Sequence, residues 1–297
     1  MPDSFSLEEI KKRHWEITSP TVRIRAKKAW GSGTVVYSQK DKSGKFRSYV
    51  LTCHHVVSDS IKVVSEWDQR VGMQVKKEKK SPVEVQFFYY ENYSLCKGLS
   101  GSYRANIMCY DEQQDIALLE IERFEKGIDF VGSVIPEEDI KNIHVHDPVY
   151  ACGAALGHPP ITTKGIINYM NEIVDDYDYW MSCAPTIFGN SGGAVFRYSN
   201  ERDRFEFIGI PAMIAVKITG FSQDAITHMG YFVPISRIYK FLRKNFYDFL
   251  YDEKKTYEGC EKARKKYQAE AKRLFMAKFG GSPKSEESLV KEVEDKD

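Results

Sequence analysis

A mainly β protein, a barrel or a sandwich, is predicted by three features of the sequence. Short runs rich in Val, Ile, Tyr and Phe recur from residue 21 to residue 234, clusters of Gly, Ser, Asp and Lys separate them, and helical spacing is confined to the two ends of the chain.

Residues 5–16 read as a short helix, because Ser6 can cap it and Glu9 completes a capping box three positions on. Thr21-Val22-Arg23-Ile24-Arg25 then alternates with period two, and Gly31-Ser32-Gly33 leads into a β-branched strand at 34–37. A turn at 41–45 precedes a strand at 49–52, which delivers Cys53-His54-His55 at its end. Further strands are expected at 61–64, 83–88, 103–109, 115–121, 149–153, 164–169, 205–210, 213–216 and 231–234, with an exposed hairpin or loop over 65–82. Near the end, Ile238, Phe241, Leu242, Phe246, Phe249 and Leu250 recur at helical spacing, a stripe suited to packing on the β core. A Lys/Arg-rich helix follows over 253–278, with a thin apolar face of Tyr257, Cys260, Ala263, Tyr267, Ala271 and Leu274 and a stop at Gly280-Gly281. The expected division is an N-terminal helical segment (1–19), a β domain (20–240), a C-terminal helical extension (241–281) and a disordered acidic tail (282–297).

At 297 residues and 42% hydrophobic content the chain can bury a large core. Its 43 basic and 42 acidic residues leave a formal charge of +1, so overall electrostatics recommend neither nucleic acid nor an anionic membrane as partner. The basic helix reads better as a solvated face than as a nucleic-acid grip, since it lacks interleaved aromatics. No apolar leader precedes Glu8-Glu9-Ile10-Lys11-Lys12-Arg13 and no run is long enough to span a bilayer, which predicts a cytoplasmic chain. The six cysteines form no C-x-x-C pair and read as reduced, mostly buried thiols. Cys53-His54-His55 has no second ligand cluster at metal-site spacing, so neither a metal nor a cofactor is expected.

The chemistry centres on Gly189-Asn190-Ser191-Gly192-Gly193, which precedes the apolar run Ala194-Val195-Phe196. Glycines flanking a serine allow a sharp turn that presents a hydroxyl and backbone N–H groups to a cleft. A serine hydroxyl needs a base, and the base needs a group to orient it. His55 ends a strand in an apolar frame, and Asp115 opens an apolar strand where an unpaired carboxylate would be costly. The order His, Asp, Ser is one of those in which such sets occur.

Four segments together resemble the trypsin-like (chymotrypsin-fold) serine peptidases, and among them the bacterial HtrA/Deg proteases. They are Gly31-Ser32-Gly33-Thr34-Val35-Val36, Leu51-Thr52-Cys53-His54-His55-Val56-Val57, Asp115-Ile116-Ala117-Leu118-Leu119 and Gly189-Asn190-Ser191-Gly192-Gly193-Ala194. The resemblance covers about residues 20–240 and implies two six-stranded antiparallel β-barrels. It also implies His55 as base, Asp115 as orienting acid, Ser191 as nucleophile, and the N–H groups of Gly189 and Ser191 as oxyanion hole. Pro185 stands where trypsin has its specificity acid, and Ala212, Met213 and Ile214 would line the substrate groove. Small or medium aliphatic P1 residues are therefore expected. Ala212 replaces a serine that helps hold the acid in digestive members. A PDZ domain, usual in the HtrA group, has no counterpart in the sequence. The resulting expectation is a serine endopeptidase acting on proteins or peptides, with a regulatory partner at the C-terminal helices. The rival reading is a catalytically silent protease-fold module that recruits a partner through those helices.

Overall fold

The capping box forms as predicted: Glu9 N–H donates to Ser6 Oγ at 3.3 Å and Ser6 N–H donates to Glu9 Oε2 at 2.8 Å. The computed structural model describes residues 5–69, 73–122, 127–219 and 222–279, so the tail expected at 282–297 lies outside the described residues. Helix α1 (Leu7–Arg13) continues into a π-helical turn, His14–Thr18, rather than running straight to residue 16. Side-chain anchors accompany the change: Trp15 stacks on Phe130 at 4.0 Å, and Glu16 accepts the Phe205 N–H at 2.8 Å.

The first half of the chain supplies β1 (Thr21–Arg25), β2 (Trp30–Lys40), β3 (Phe46–Thr52), the short helix α2 (His54–Val57), β4 (Ile61–Asp68), β5 (Met73–Lys80), β6 (Val83–Glu91), β7 (Leu95–Asp111) and β8 (Ile116–Ile121). Six of these strands close an antiparallel barrel in the order β1-β2-β3-β8-β7-β6. Strands β4 and β5 stand apart as the two-stranded ribbon expected from the polar interval. Five consecutive residues of β3, Ser48 to Thr52, are buried. One face fills the barrel, and the other is covered from the C-terminal segment, where Tyr247 and Phe249 meet the Tyr49 ring at 5.8 and 5.5 Å.

The second half supplies β9 (Ser133–Val134), β10 (Pro148–Gly153), β11 (Ile161–Val174), β12 (Tyr177–Ser182), β13 (Ala194–Ser199), β14 (Arg204–Thr219) and β15 (Ser222–Pro234). Their order is β13-β10-β11-β12-β15-β14, and a further β13–β14 pairing closes the ring into a second six-stranded barrel, with β9 added in parallel on β14. Two expected strands, 205–210 and 213–216, are one strand bent by a bulge between Pro211 and Met213. Strand β12 has no counterpart among the sequence expectations. Its signal was the turn Asp175-Asp176, whose positive φ values of 50° and 68° join it to β11.

Helix α3 (Ile235–Lys244) buries Ile238, Phe241 and Leu242. The predicted stripe does not continue on one helix, for Phe246 takes φ 59° and breaks it. After the turn, Tyr247 and Phe249 lie against Tyr49 of the first barrel, and Phe249 also meets Tyr37 at 5.2 Å. The start of helix α4 (Tyr257–Phe279) packs against the rest of the molecule. Tyr257 lies under Arg47 at 4.6 Å and Cys260 is buried, whereas Tyr267 and Leu274 on the expected apolar face are 61% and 60% exposed. No described helix is long and apolar enough to cross a membrane.

The β2–β3 turn ties α4 to the first barrel, since Lys42 N–H donates to Glu258 Oε1 at 2.8 Å. Beside it, the Ser43 hydroxyl, the Arg47 guanidinium and the Ser43 and Lys45 N–H groups hold Asp41 down to about 2. A carboxylate depressed in the folded state stabilises fully above its unfolded value of about 3.9, and the contribution is lost as pH falls through 2. Asp41→Asn is expected to lower Tm by a few degrees at pH 7, with the gap to wild type closing as the two are melted towards pH 2. A constant gap across that range would refute the assignment.

Candidate active site

The two barrels bring three loops into one seam. β3 ends in α2, so His55 sits in the first turn after the barrel strand; Asp115 occupies the turn between β7 and β8; Ser191 lies in the loop before β13. Asp115 takes φ 54°, a conformation that Asp and Asn tolerate better than most residues. From there its carboxylate holds His55 twice: Oδ1 accepts the backbone N–H at 2.9 Å and Oδ2 meets ring Nδ1 at 2.8 Å. A hydrogen bond at Nδ1 orients the ring and leaves Nε2 for other chemistry.

The nucleophile loop is fixed from both sides. Ser32, from the first barrel, donates its N–H to the Ser191 carbonyl at 2.9 Å and its hydroxyl to the Gly189 carbonyl at 2.6 Å, while accepting the Ala154 N–H at 2.7 Å. Gly189 has φ 96°, and a Cβ there would stand 2.6 Å from the Ala154 oxygen, so the position requires glycine. The Phe188 carbonyl is drawn to Leu156 N–H at 2.8 Å, and the Asn190 carbonyl to Gly193 N–H at 3.0 Å. In a trans peptide the following N–H points the opposite way, which directs the Gly189 and Ser191 N–H groups away from those bonds. Among the described residues neither N–H has an internal acceptor, whereas those of Asn190, Gly192 and Gly193 do.

The Ser191 hydroxyl donates to the Ala212 carbonyl at 3.3 Å. A hydroxyl carries one proton, so while it makes this bond it donates to no other acceptor, and among the described residues no hydrogen bond joins Ser191 to His55. Among the other expected positions, Met213 and Ile214 lie half-buried on β14 opposite Tyr231 and Gly230. Pro185 is exposed, and its carbonyl accepts the Thr163 hydroxyl at 2.8 Å. Its neighbour Thr186 is 5% exposed, and its Oγ1 faces Gly230 with no hydrogen-bond partner among the described residues.

Two further residues support the site in roles that the sequence reading did not assign. Cys53 is fully buried, and burial, reinforced by the nearby Asp115 carboxylate, pushes its thiol well up. The thiol is therefore protonated at neutral pH and donates to the Pro211 carbonyl at 3.3 Å. Arg237 of α3, 3% exposed, lies over the Tyr177 and Tyr179 rings at 4.8 and 4.6 Å. It donates to the carbonyls of Asp178 at 2.8 Å and of Gln114 at 2.9 Å, which ties the turn carrying Asp115 to the second barrel. An arginine near the start of the apolar helical stripe was the available signal.

Among the described residues, Cys53, His55 and Asp115 form the group of three whose donor atoms, within 4.8 Å of one another, could gather round a metal ion. The chemistry of that donor set fits a metal poorly, because the thiol is held protonated and soft metals bind the thiolate. A groove of about 680 Å³ lies away from this seam, between Arg243, Tyr251 and the start of α4.

Barrel pair and seam together define the trypsin-like class of peptidase folds. The chain belongs to the trypsin-like peptidase domain family, whose profile matches residues 31–210, a span that contains His55, Asp115 and Ser191. No curated protein matches it by sequence. Among solved structures it is similar to the HtrA-type protease AlgW with tripeptide, at 16% identity and TM-score 0.54, covering 80% of this chain and 64% of that one. It is also similar to a serine endoprotease from Yersinia pestis, at 19% identity and TM-score 0.52, covering 82% of this chain and 67% of that one. At these identities the likeness is one of fold, and the chain spans about two thirds of the length of those proteases.

Proposed function

We propose that the chain is a serine endopeptidase that hydrolyses protein or peptide substrates through His55, Asp115 and Ser191. Family membership and the HtrA-type fold support the reaction class. The observation that carries it is the pair of acceptor-free N–H groups at Gly189 and Ser191, together with a histidine already oriented by Asp115. The Ser191 Oγ turns from Ala212 to His55 and attacks the substrate carbonyl carbon, and Nε2 takes its proton. The carbonyl oxygen gains the electron pair and is met by the two N–H groups. Collapse expels the amine, which leaves with the proton from His55, and water repeats the sequence on the acyl-enzyme.

For the residue before the scissile bond, Ile214 and the approach of Thr186 to Gly230 leave little depth, and no carboxylate stands at 185 to invite a basic side chain. Small or medium aliphatic P1 residues are the proposed preference. A fluorophosphonate probe is expected to label the wild type and not Ser191→Ala, and a peptide-library profile should favour Ala, Val or Ile at P1. Absence of labelling would overturn the peptidase reading in favour of a silent module; cleavage dominated by Arg, Lys or Phe would overturn the P1 preference alone.

A further inference from the structure

An open pocket of about 390 Å³ adjoins the candidate oxyanion site and is lined by Arg23, Trp30, Leu156, Gly157, Phe188 and Gly189. Trp30, Leu156 and Phe188 are 47%, 65% and 64% exposed, an uncommon concentration of large apolar side chains around one backbone position. Leu156 is held there at φ 51°, a left-handed conformation unfavourable for leucine, by the bond from its N–H to the Phe188 carbonyl. Arg23 forms one wall. It lies over the Trp30 and Phe88 rings at 4.9 Å each, donates Nε to Gln86 Oε1 at 2.8 Å and Nη1 to the Gly157 carbonyl. Both partners are neutral. Among the described residues no carboxylate pairs with Arg23, and the nearby Glu84 faces Arg25 at 3.8 Å. Burial lowers the Arg23 pKa, so its charge gains from an incoming anion.

This inference rests on the peptidase reading. With the scissile carbonyl oxygen at the Gly189 and Ser191 N–H groups and the acyl side along Ala212–Ile214, the chain beyond the scissile bond leaves on the other side of Gly189, across Phe188 towards Trp30. We propose that this pocket is the leaving-group subsite and selects substrates with a large apolar residue directly after the scissile bond and an aspartate or glutamate next. The apolar side chain covers Trp30, Leu156 and Phe188, and the carboxylate meets the free donors of Arg23. Because the leaving group departs with the first product, the selection acts on acylation and not on hydrolysis of the acyl-enzyme.

The test uses internally quenched peptides with one acyl side, amidated and extended C-termini, and varied residues at the two positions after the bond. Leu or Phe over Gly at the first position, and Asp or Glu over Lys at the second, are each expected to raise kcat/KM about tenfold. Phe188→Ala should shrink the first ratio and Arg23→Gln the second. Ratios taken on one preparation are independent of the fraction folded. Should a variant fail to fold, the wild type alone decides, since added salt must erode the acidic preference and spare the apolar one. Flat or inverted ratios in a protein that the fluorophosphonate probe labels would overturn this subsite alone; a wild type that takes no label would overturn the peptidase reading beneath it.

Discussion

Ser191→Ala is expected to lower kcat by roughly 10^6-fold, the scale on which removing the nucleophile silences a hydrolase of this type, while the protein stays folded. The substitution removes one hydrogen bond, from Oγ to the Ala212 carbonyl at 3.3 Å, worth about 1 kcal/mol in a typical protein. The loop itself is held by main chain: Ser32 N–H to the Ser191 carbonyl, Gly192 N–H to the Pro211 carbonyl at 2.9 Å, Gly193 N–H to that of Asn190. Those bonds survive, so the backbone N–H groups at positions 189 and 191 keep their direction and substrate binding should change little. Burst kinetics and a thermal melt on the same sample provide the check. Retained turnover with an unchanged melt would move the nucleophile elsewhere.

Asp115→Asn should cost about 10^4-fold in kcat with little change in fold, by a different route. Asparagine tolerates φ 54° as aspartate does, so the β7–β8 turn is kept. The carboxylate, however, serves two His55 N–H groups at once, the backbone at 2.9 Å and Nδ1 at 2.8 Å. An amide has one acceptor oxygen. Given to the backbone N–H, it turns its NH2 on Nδ1, which must then accept, and the ring proton moves to Nε2, where a base is needed. Loss of activity should lessen as pH rises and hydroxide takes the base's part. A variant as active as wild type near neutrality would remove Asp115 from the proposed mechanism.

The positions of these three residues were legible because each has a local signature. A glycine-flanked serine, a histidine closing an apolar strand and an acid opening one are patterns that a few neighbouring residues define. The barrels were legible for a like reason, as the alternation of β1, the apolar run of β8 and the turn residues between strands are local properties of the sequence. The ends of the strands were less so: β14 passes through the bulge at Pro211, which reads as a stop in the sequence but is bridged by β15 across the ring. The C-terminal stripe failed similarly, for Phe246 and Phe249 share a period with Phe241, yet the chain turns between them to meet Tyr49.

By itself the sequence determined the type of fold, the order of its elements and the residues from which a site can be made. Tertiary structure alone decided how those residues are held. Ser32 and Arg237 reach partners 157 and 123 positions away, Gly189 and Gln114, and no period or spacing encodes such a meeting. The direction of the N–H groups in Gly189-Asn190-Ser191 depends on the partners of the neighbouring carbonyls, one of them Leu156 on another loop. Closing two barrels onto each other makes those contacts, because a seam between two rings of strands gathers turns that are remote along the chain.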